Sequence, residues 1–191
     1  MIARGELADY LITKEYVKPR EVYPRKVAGT QVKVIHAIHG RSEDDQESEL
    51  PHEDPLVISL LVANCMINRV LIDLGSSANI ITKTVFEQLE IPSSSIRPTS
   101  SPLMGFNDTR VDPLGEIDLS VTAAKRTLKE NFVLTEIYPS YNLIMGRGWI
   151  HRMRRVPSTL HQVIRCLSPD GKEVVNLWGD QVTAKECYML T

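Results

Sequence analysis

From Pro55 onwards, short apolar runs alternate with turn-forming residues. PLVISLLVA (55–63) is apolar and rich in β-branched residues, which predicts a buried strand. Asn64 predicts a turn. MINRVLI (66–72) predicts a second strand that runs straight into Asp73. The two form a hairpin with Asp73 at its exit. After the loop GSSA (75–78) comes NIIT, which is short and apolar. TKTVFEQLE (82–90) predicts a helix, with Val85, Phe86 and Leu89 on one face. Thr84 with Glu87 fits a capping box, and Thr82 is the alternative cap. IPSSSIRPTSSP (91–102) reads as an extended, Pro-punctuated connection.

The pattern is β again from Leu103. LMGF, NDT and RVDPLGEIDLSV predict strands around a polar turn at Asn107 and Asp108. Ile117, Leu119 and Val121 alternate as in a half-buried strand. TLKENFVLTEI (127–137) is another strand, and LIMG (143–146) is a short one ending in Gly. RGWIHRM (147–153) predicts a short helix. HQVIRCL and KEVVNLW flank SPDG, a hairpin turn signal. The sum is a mainly β fold with one or two short helices, best satisfied by a closed or orthogonally packed barrel.

Residues 1–54 differ in character. GELADYLIT predicts one short helix, KPREVYPRKV a linker and VKVIHAI a short strand. RSEDDQESE (41–49) is acidic with no apolar anchor, which predicts disorder. A net charge of −2 over 191 residues favours neither nucleic acid nor a membrane surface. No apolar run approaches the roughly 20 residues that span a bilayer, and the first ten residues lack the apolar core of a signal peptide. A cytoplasmic protein is the expectation. The 3 cysteines, Cys65, Cys166 and Cys187, form no CxxC pair and predict free thiols. His36 and His39 would face opposite sides of a strand with no third ligand near, so neither metal nor cofactor is expected. HRMRR (151–155) reads as a solvated basic patch, and Trp149 and Trp178 as core or interface residues.

Asp73 is the residue that points to chemistry. An Asp after a strand is commonly a turn former or helix cap. Here three apolar residues, Val70, Leu71 and Ile72, deliver it to a strand end, and Gly75 permits close backbone approach. Aspartic proteolysis needs two facing carboxylates that share one proton, because two like charges about 3 Å apart cannot both ionise. Only one Asp-x-Gly ends an apolar strand in this sequence. Asp170 precedes Gly171 directly in a turn, and Asp108 has no Gly partner. A protease built on Asp73 therefore requires a second copy of the chain, in a two-fold symmetric homodimer. No GxSxG accompanies Ser76 and Ser77.

VLIDLGSSANIITKTVFEQLEI, then PLMGF, then YNLIMGRGWI, resembles the retropepsin-like aspartic protease region of a plant Ty3/gypsy-type retrotransposon gag-pol polyprotein. The lead-in and the tail VPSTLHQVIRCL…GDQVTAKECYML resemble the segments flanking the protease there. The resemblance implies a retropepsin-like closed barrel over 55–167. Residues 1–54 would be a gag-derived linker, and 168–191 a hairpin and connector towards a reverse transcriptase. Asp73 would be the catalytic carboxylate, with Leu74, Gly75 and Ser76 in its loop. Gly105, Phe106, Asn107 and Asp108, on to Arg110, would lie about the flap tip that closes on substrate. Ile144, Met145 and Gly146 would brace the loop, and Arg147 would open a helix. Leu74 departs from the family pattern, which has Ser or Thr with a hydroxyl bonded across the dimer axis. The implied function is an endopeptidase cutting extended polypeptides. The alternative is a catalytically silent protease fold serving as a dimerisation or peptide-binding module.

Overall fold

The structure, a computed structural model, describes residues 51–105, 108–136, 140–168 and 171–189, with the backbone of 33–35. The expected helix at 5–13, the Pro-rich linker, the acidic block and His36 and His39 lie outside the described residues. So do Phe106 and Asn107.

Six strands close on themselves. β1 (Lys33–Ile35) lies outside the ring and pairs in parallel with the start of β3. β2 (Val57–Val62) and β3 (Cys65–Asp73) form the expected hairpin, turned by Ala63 and Asn64, both at positive φ. Two such residues in succession give a turn whose twist matches the strands it joins. β4 is Asn79–Thr82, and the short hairpin β5 (Leu103–Met104) and β6 (Arg110–Val111) stands apart. β7 (Gly115–Ala123) and β8 (Arg126–Thr135) make a long antiparallel pair, and β9 is Leu143–Gly146. Going round, β3 pairs with β2, β2 with β7, β7 with β8, β8 with β4, β4 with β9, and β9 returns to β3. Closure leaves the ring no open edge. The period-two pattern fills it: Ile58, Ile67, Ile81, Ile117, Phe132, Leu134, Leu143 and Met145 are fully buried. The expected mainly β closed barrel is therefore observed.

Three helices accompany the strands among the described residues. α1 (Lys83–Gln88) is capped by Thr82, whose Oγ1 accepts from Val85 N at 3.3 Å. Thr82, and not the Thr84–Glu87 box, starts it: Thr82 has the extended backbone that a cap requires. The connection that follows holds a single 3-10 turn at Ser93–Ser95. α2 (Arg147–Met153) follows β9 without a break and buries Trp149, Ile150 and Met153.

A three-stranded antiparallel sheet, β10 (Arg155–Ser158), β11 (Val163–Leu167) and β12 (Val174–Trp178), follows. The hairpin β11–β12 crosses residues 167 and 168. α3 (Gln181–Met189) then packs back on β2 and β3, burying Ala184 and Cys187. Its Glu186 meets Arg69 at 3.1 Å. Arg69 sits at positive φ in a bulge where the β2–β3 register slips between Ile58 and Leu60.

The basic run HRMRR is not a uniformly solvated patch. Arg155 is 7% exposed, lies 5.5 Å from the Trp149 ring centre and donates to Ala123 O at 2.7 Å. Strand alternation turns it inward, where the indole face and a carbonyl receive the guanidinium. Arg152 turns towards β8, as described below. All three cysteines are buried, and none forms a disulfide among the described residues. No helix among the described residues is long and apolar enough to cross a membrane.

Candidate active site

Asp73 is the last residue of β3. It pairs in register with Gly146, the last residue of β9. β9 thus lies between β3, to which it is parallel, and β4, to which it is antiparallel. The chain between Asp73 and Asn79 loops over the end of β9. This brings together Asp73, Leu74, Gly75, Ser76, Ile144, Met145, Gly146 and Arg147, eight positions drawn from two distant parts of the sequence.

The loop is held by its own groups. Gly75 N donates to Asp73 Oδ1 at 2.8 Å. A Cβ at residue 75 would stand 3.1 Å from that oxygen, so a side chain there would press on the carboxylate. Ser76 Oγ donates to Ala78 O at 2.8 Å, closing a short turn. Arg147 N donates to Ser76 O at 3.0 Å, and Arg147 Nη1 to Gly75 O at 2.9 Å. The first residue of α2 therefore secures two loop carbonyls. Gly146 is required by contact: a Cβ there would meet Ala78 O at 2.5 Å and Ser76 O at 2.9 Å. Asp73 itself is half-buried, so its carboxylate is both anchored and accessible.

Leu74 is 51% exposed, beside the carboxylate. An apolar side chain of that size stands in water at a loop tip among the described residues. Leu71, two residues before Asp73 on the same strand face, registers with Ile144, which registers with Ile80. All three are half-buried and make an apolar row beside the carboxylate. Gly105 and Asp108 lie in the β5–β6 hairpin, where Gly105 N donates to Thr109 O and Asp108 N to Gly105 O. Asp108 takes positive φ, as a turn Asp tolerates. The exposed Arg110 pairs with Asp112 at 2.8 Å.

Three further residues reach this site without a motif to announce them. Asn79, 5% exposed, accepts from Gly146 N at 3.0 Å through Oδ1. Its Nδ2 donates to Asn131 O at 3.0 Å and to Glu130 Oε2 at 3.2 Å. Arg152 Nε donates to Glu130 Oε1 at 2.9 Å, and its Nη2 to Oε2. This pairing raises the Arg152 guanidinium above its usual range. A signal for Glu130 did exist. Leu128, Glu130, Phe132 and Leu134 share the inward phase of β8, so a carboxylate falls where an apolar residue is expected. The described residues hold no cluster of potential metal ligands.

No protein-family model matches the sequence, and neither does any curated protein. Among solved structures, the chain is similar to the retroviral protease-like domain of Ddi1 from Leishmania major, with 16% identity and a TM-score of 0.50. That match covers 66% of this chain and 96% of the other. EIAV protease complexed with the inhibitor HBY-793 matches at 16% identity and TM-score 0.47, covering 58% of this chain and 98% of that one. A retropepsin-like aspartic protease from Rickettsia conorii matches at 17% and 0.44, over 64% and 83%. The Leishmania domain carries the comparison: the fold is retropepsin-like. At such identity, likeness establishes the fold and leaves the chemistry to the residues.

Proposed function

We propose that the chain is one protomer of a homodimeric aspartic endopeptidase, with Asp73 of each copy forming the catalytic dyad. The carrying observation is the placement of Asp73 at the end of β3, its Oδ1 fixed by Gly75 N and its loop braced by β9 and Arg147. Two such loops facing across a two-fold axis would share one proton, and the dyad would titrate as a unit. The ionised carboxylate takes a proton from water as the water oxygen attacks the scissile carbonyl. The protonated partner donates to that carbonyl oxygen. The half-buried row Leu71–Ile144–Ile80 favours apolar side chains next to the cut, on a peptide bound as an extended strand. The sequence resemblance names a polyprotein as the substrate class. It also supports a division into a lead-in (1–54), a protease region (55–167) and a connector (168–191).

A second reading rests on Leu74. Where the family pattern has a hydroxyl for bonding across the axis, this chain offers an exposed alkyl group. Two leucines meeting there would bury apolar surface and hold a dimer, yet they would not lock the dyad by hydrogen bonds. That describes a dimerisation or peptide-binding module without turnover.

Peptide-library cleavage at acidic pH, together with sedimentation, tests both readings. Under the first, the wild type cleaves, a statine-type inhibitor blocks it, and Asp73→Asn loses activity by about 10²–10⁴-fold. A dimer without turnover supports the second. Cleavage retained in Asp73→Asn would sink the mechanism, and a strict monomer at high concentration would argue against an assembled dyad and against a dimerisation module.

A further inference from the structure

We infer that Arg152, Glu130 and Asn79 form a positioning relay that sets the geometry of the Asp73 loop through the backbone amide of Gly146. The inference rests on the protease reading for its kinetic consequence, but not for its structural content.

The contacts form a closed circuit. Gly146 ends β9, and α2 begins at the next residue. Arg152, near the far end of α2, grips both oxygens of Glu130 on β8. Glu130 accepts from the amide of Asn79 on β4, and Asn79 accepts from Gly146 N. The circuit thus runs from β9 through α2, β8 and β4 and back to β9.

Asn79 is where the circuit has a direction. Its side chain has one accepting end and one donating end. An ionised carboxylate only accepts, and a backbone N–H only donates. One orientation alone satisfies both neighbours: Nδ2 towards Glu130 and Oδ1 towards Gly146. Glu130 and the Asn131 carbonyl, which accepts from the same Nδ2, together dictate which end of Asn79 meets Gly146. The Glu130 side chain is 0% exposed, and Arg152 is its cationic partner among the described residues. Without Arg152 the buried carboxylate loses the donors that fix both its oxygens. A Glu130 carboxylate set loose no longer holds Asn79 Nδ2 from its side, and Nδ2 is left with the Asn131 carbonyl alone. Asn79 Oδ1 is then aimed less firmly at the Gly146 N–H, and that bond weakens. Gly146 is in register with Asp73 and touches Ser76 O and Ala78 O, so a shift there moves the loop. All three are positioning residues, since none touches the carboxylate.

Arg152 is 54% exposed at its side chain, so Arg152→Met is expected to fold. Two readouts apply to the full chain. The first is hydrogen exchange of the Gly146 amide by NMR, compared with that of Met145 on the same strand. The second is kcat and KM for peptide cleavage. Arg152→Met is expected to lose Gly146 protection selectively and to lower kcat about ten- to a hundredfold, with KM little changed. A merely structural ion pair would lower the melting temperature yet leave selective Gly146 protection and kcat per folded site unaltered. A compensating exchange adds a second arm. Asn79→Asp alone sets two carboxylates face to face. Adding Glu130→Gln restores a donor opposite an acceptor and leaves the second Asp oxygen for Gly146 N, while the Asn131 carbonyl lacks its Asn79 donor in both variants and so cancels from the comparison. The double variant is expected to recover Gly146 protection and activity relative to Asn79→Asp.

If Arg152→Met leaves both readouts unchanged, or if the double variant does no better than Asn79→Asp, the relay is overturned. If the wild type does not cleave but Gly146 protection still responds to Arg152→Met, the protease reading fails and the relay stands.

Discussion

At the residue scale, Gly146 is the position with least freedom. The atoms that a Cβ would meet, Ala78 O and Ser76 O, are backbone and cannot swing aside. Gly146→Ala is expected to destabilise the fold by about 1–3 kcal/mol, the usual range for overpacking. A lowered urea midpoint with unchanged m-value checks it. Asp118 offers a pH handle. Arg97 donates to both its oxygens at 2.8 and 2.7 Å, and Asn131 adds a third bond. These hold its carboxyl well below the 3.8 of a free Asp. A depressed folded-state pKa contributes stability that is complete above the unfolded value and is lost as pH falls through the folded one. Melting temperature is therefore expected to fall on acidification from about pH 4 downwards. In Asp118→Asn, which starts lower at neutral pH, that fall is shallower. Thermal melts at stepped pH test this, and identical slopes would refute it.

At the element scale, α3 covers the barrel. It buries Ala184 and Cys187 against β2 and β3, and its Glu186 answers the buried Arg69. A chain ending before Gln181 exposes that surface and leaves Arg69 without its carboxylate, so its melting temperature is expected to drop. An unchanged melt would show that α3 is an appendage. The same elements shield the thiols. Burial pushes Cys166 up to about 11 and also raises Cys187. Both are expected to resist iodoacetamide at pH 8 in the folded protein and to react on unfolding, since only the thiolate attacks. Mass spectrometry of the alkylated chain reads the result. The elements that sequence pattern made legible are those with a clean period. The β2–β3 hairpin, β7, β9 and α2 alternate or carry a stripe, and they form as expected. β10 and α3 escaped notice for physical reasons. RVPS holds a proline and two polar residues, and QVTAKECYM has only a weak apolar face. Each is ordered by what it packs on rather than by its own pattern.

At the scale of the whole molecule, the barrel was legible because closure is what many short alternating strands require. The loop around Asp73 was legible through its own few residues. Asn79, Glu130 and Arg152 were not, because their meaning lies in a circuit across four elements that no local window spans. Association is the remaining question at this scale, and Leu74 bears on it. If two loops face each other, Leu74→Ser exchanges buried alkyl surface for a hydroxyl able to bond across the axis. The expected result is higher kcat with a polar rather than apolar dimer contact, so that dimer dissociation responds less to mild organic cosolvent. Sedimentation with and without cosolvent, beside the cleavage assay, separates these outcomes. Unchanged activity and association would show that residue 74 does not lie at a subunit contact.

The parallel seam between β3 and β9 also has a consequence in time. Gly75 and its anchor Arg147 are 72 residues apart in sequence. Pairings so distant form late, after the loop between them has been closed. At about 5–20 residues per second of synthesis, the anchor follows the carboxylate out of the ribosome by about 4–14 s. Throughout that interval Asp73 exists only as an unbraced side chain on a growing polypeptide. Any hydrolytic power it comes to have is therefore deferred until the strand from the far end of the domain has arrived, and the nascent chain is protected from itself by the order in which it is made.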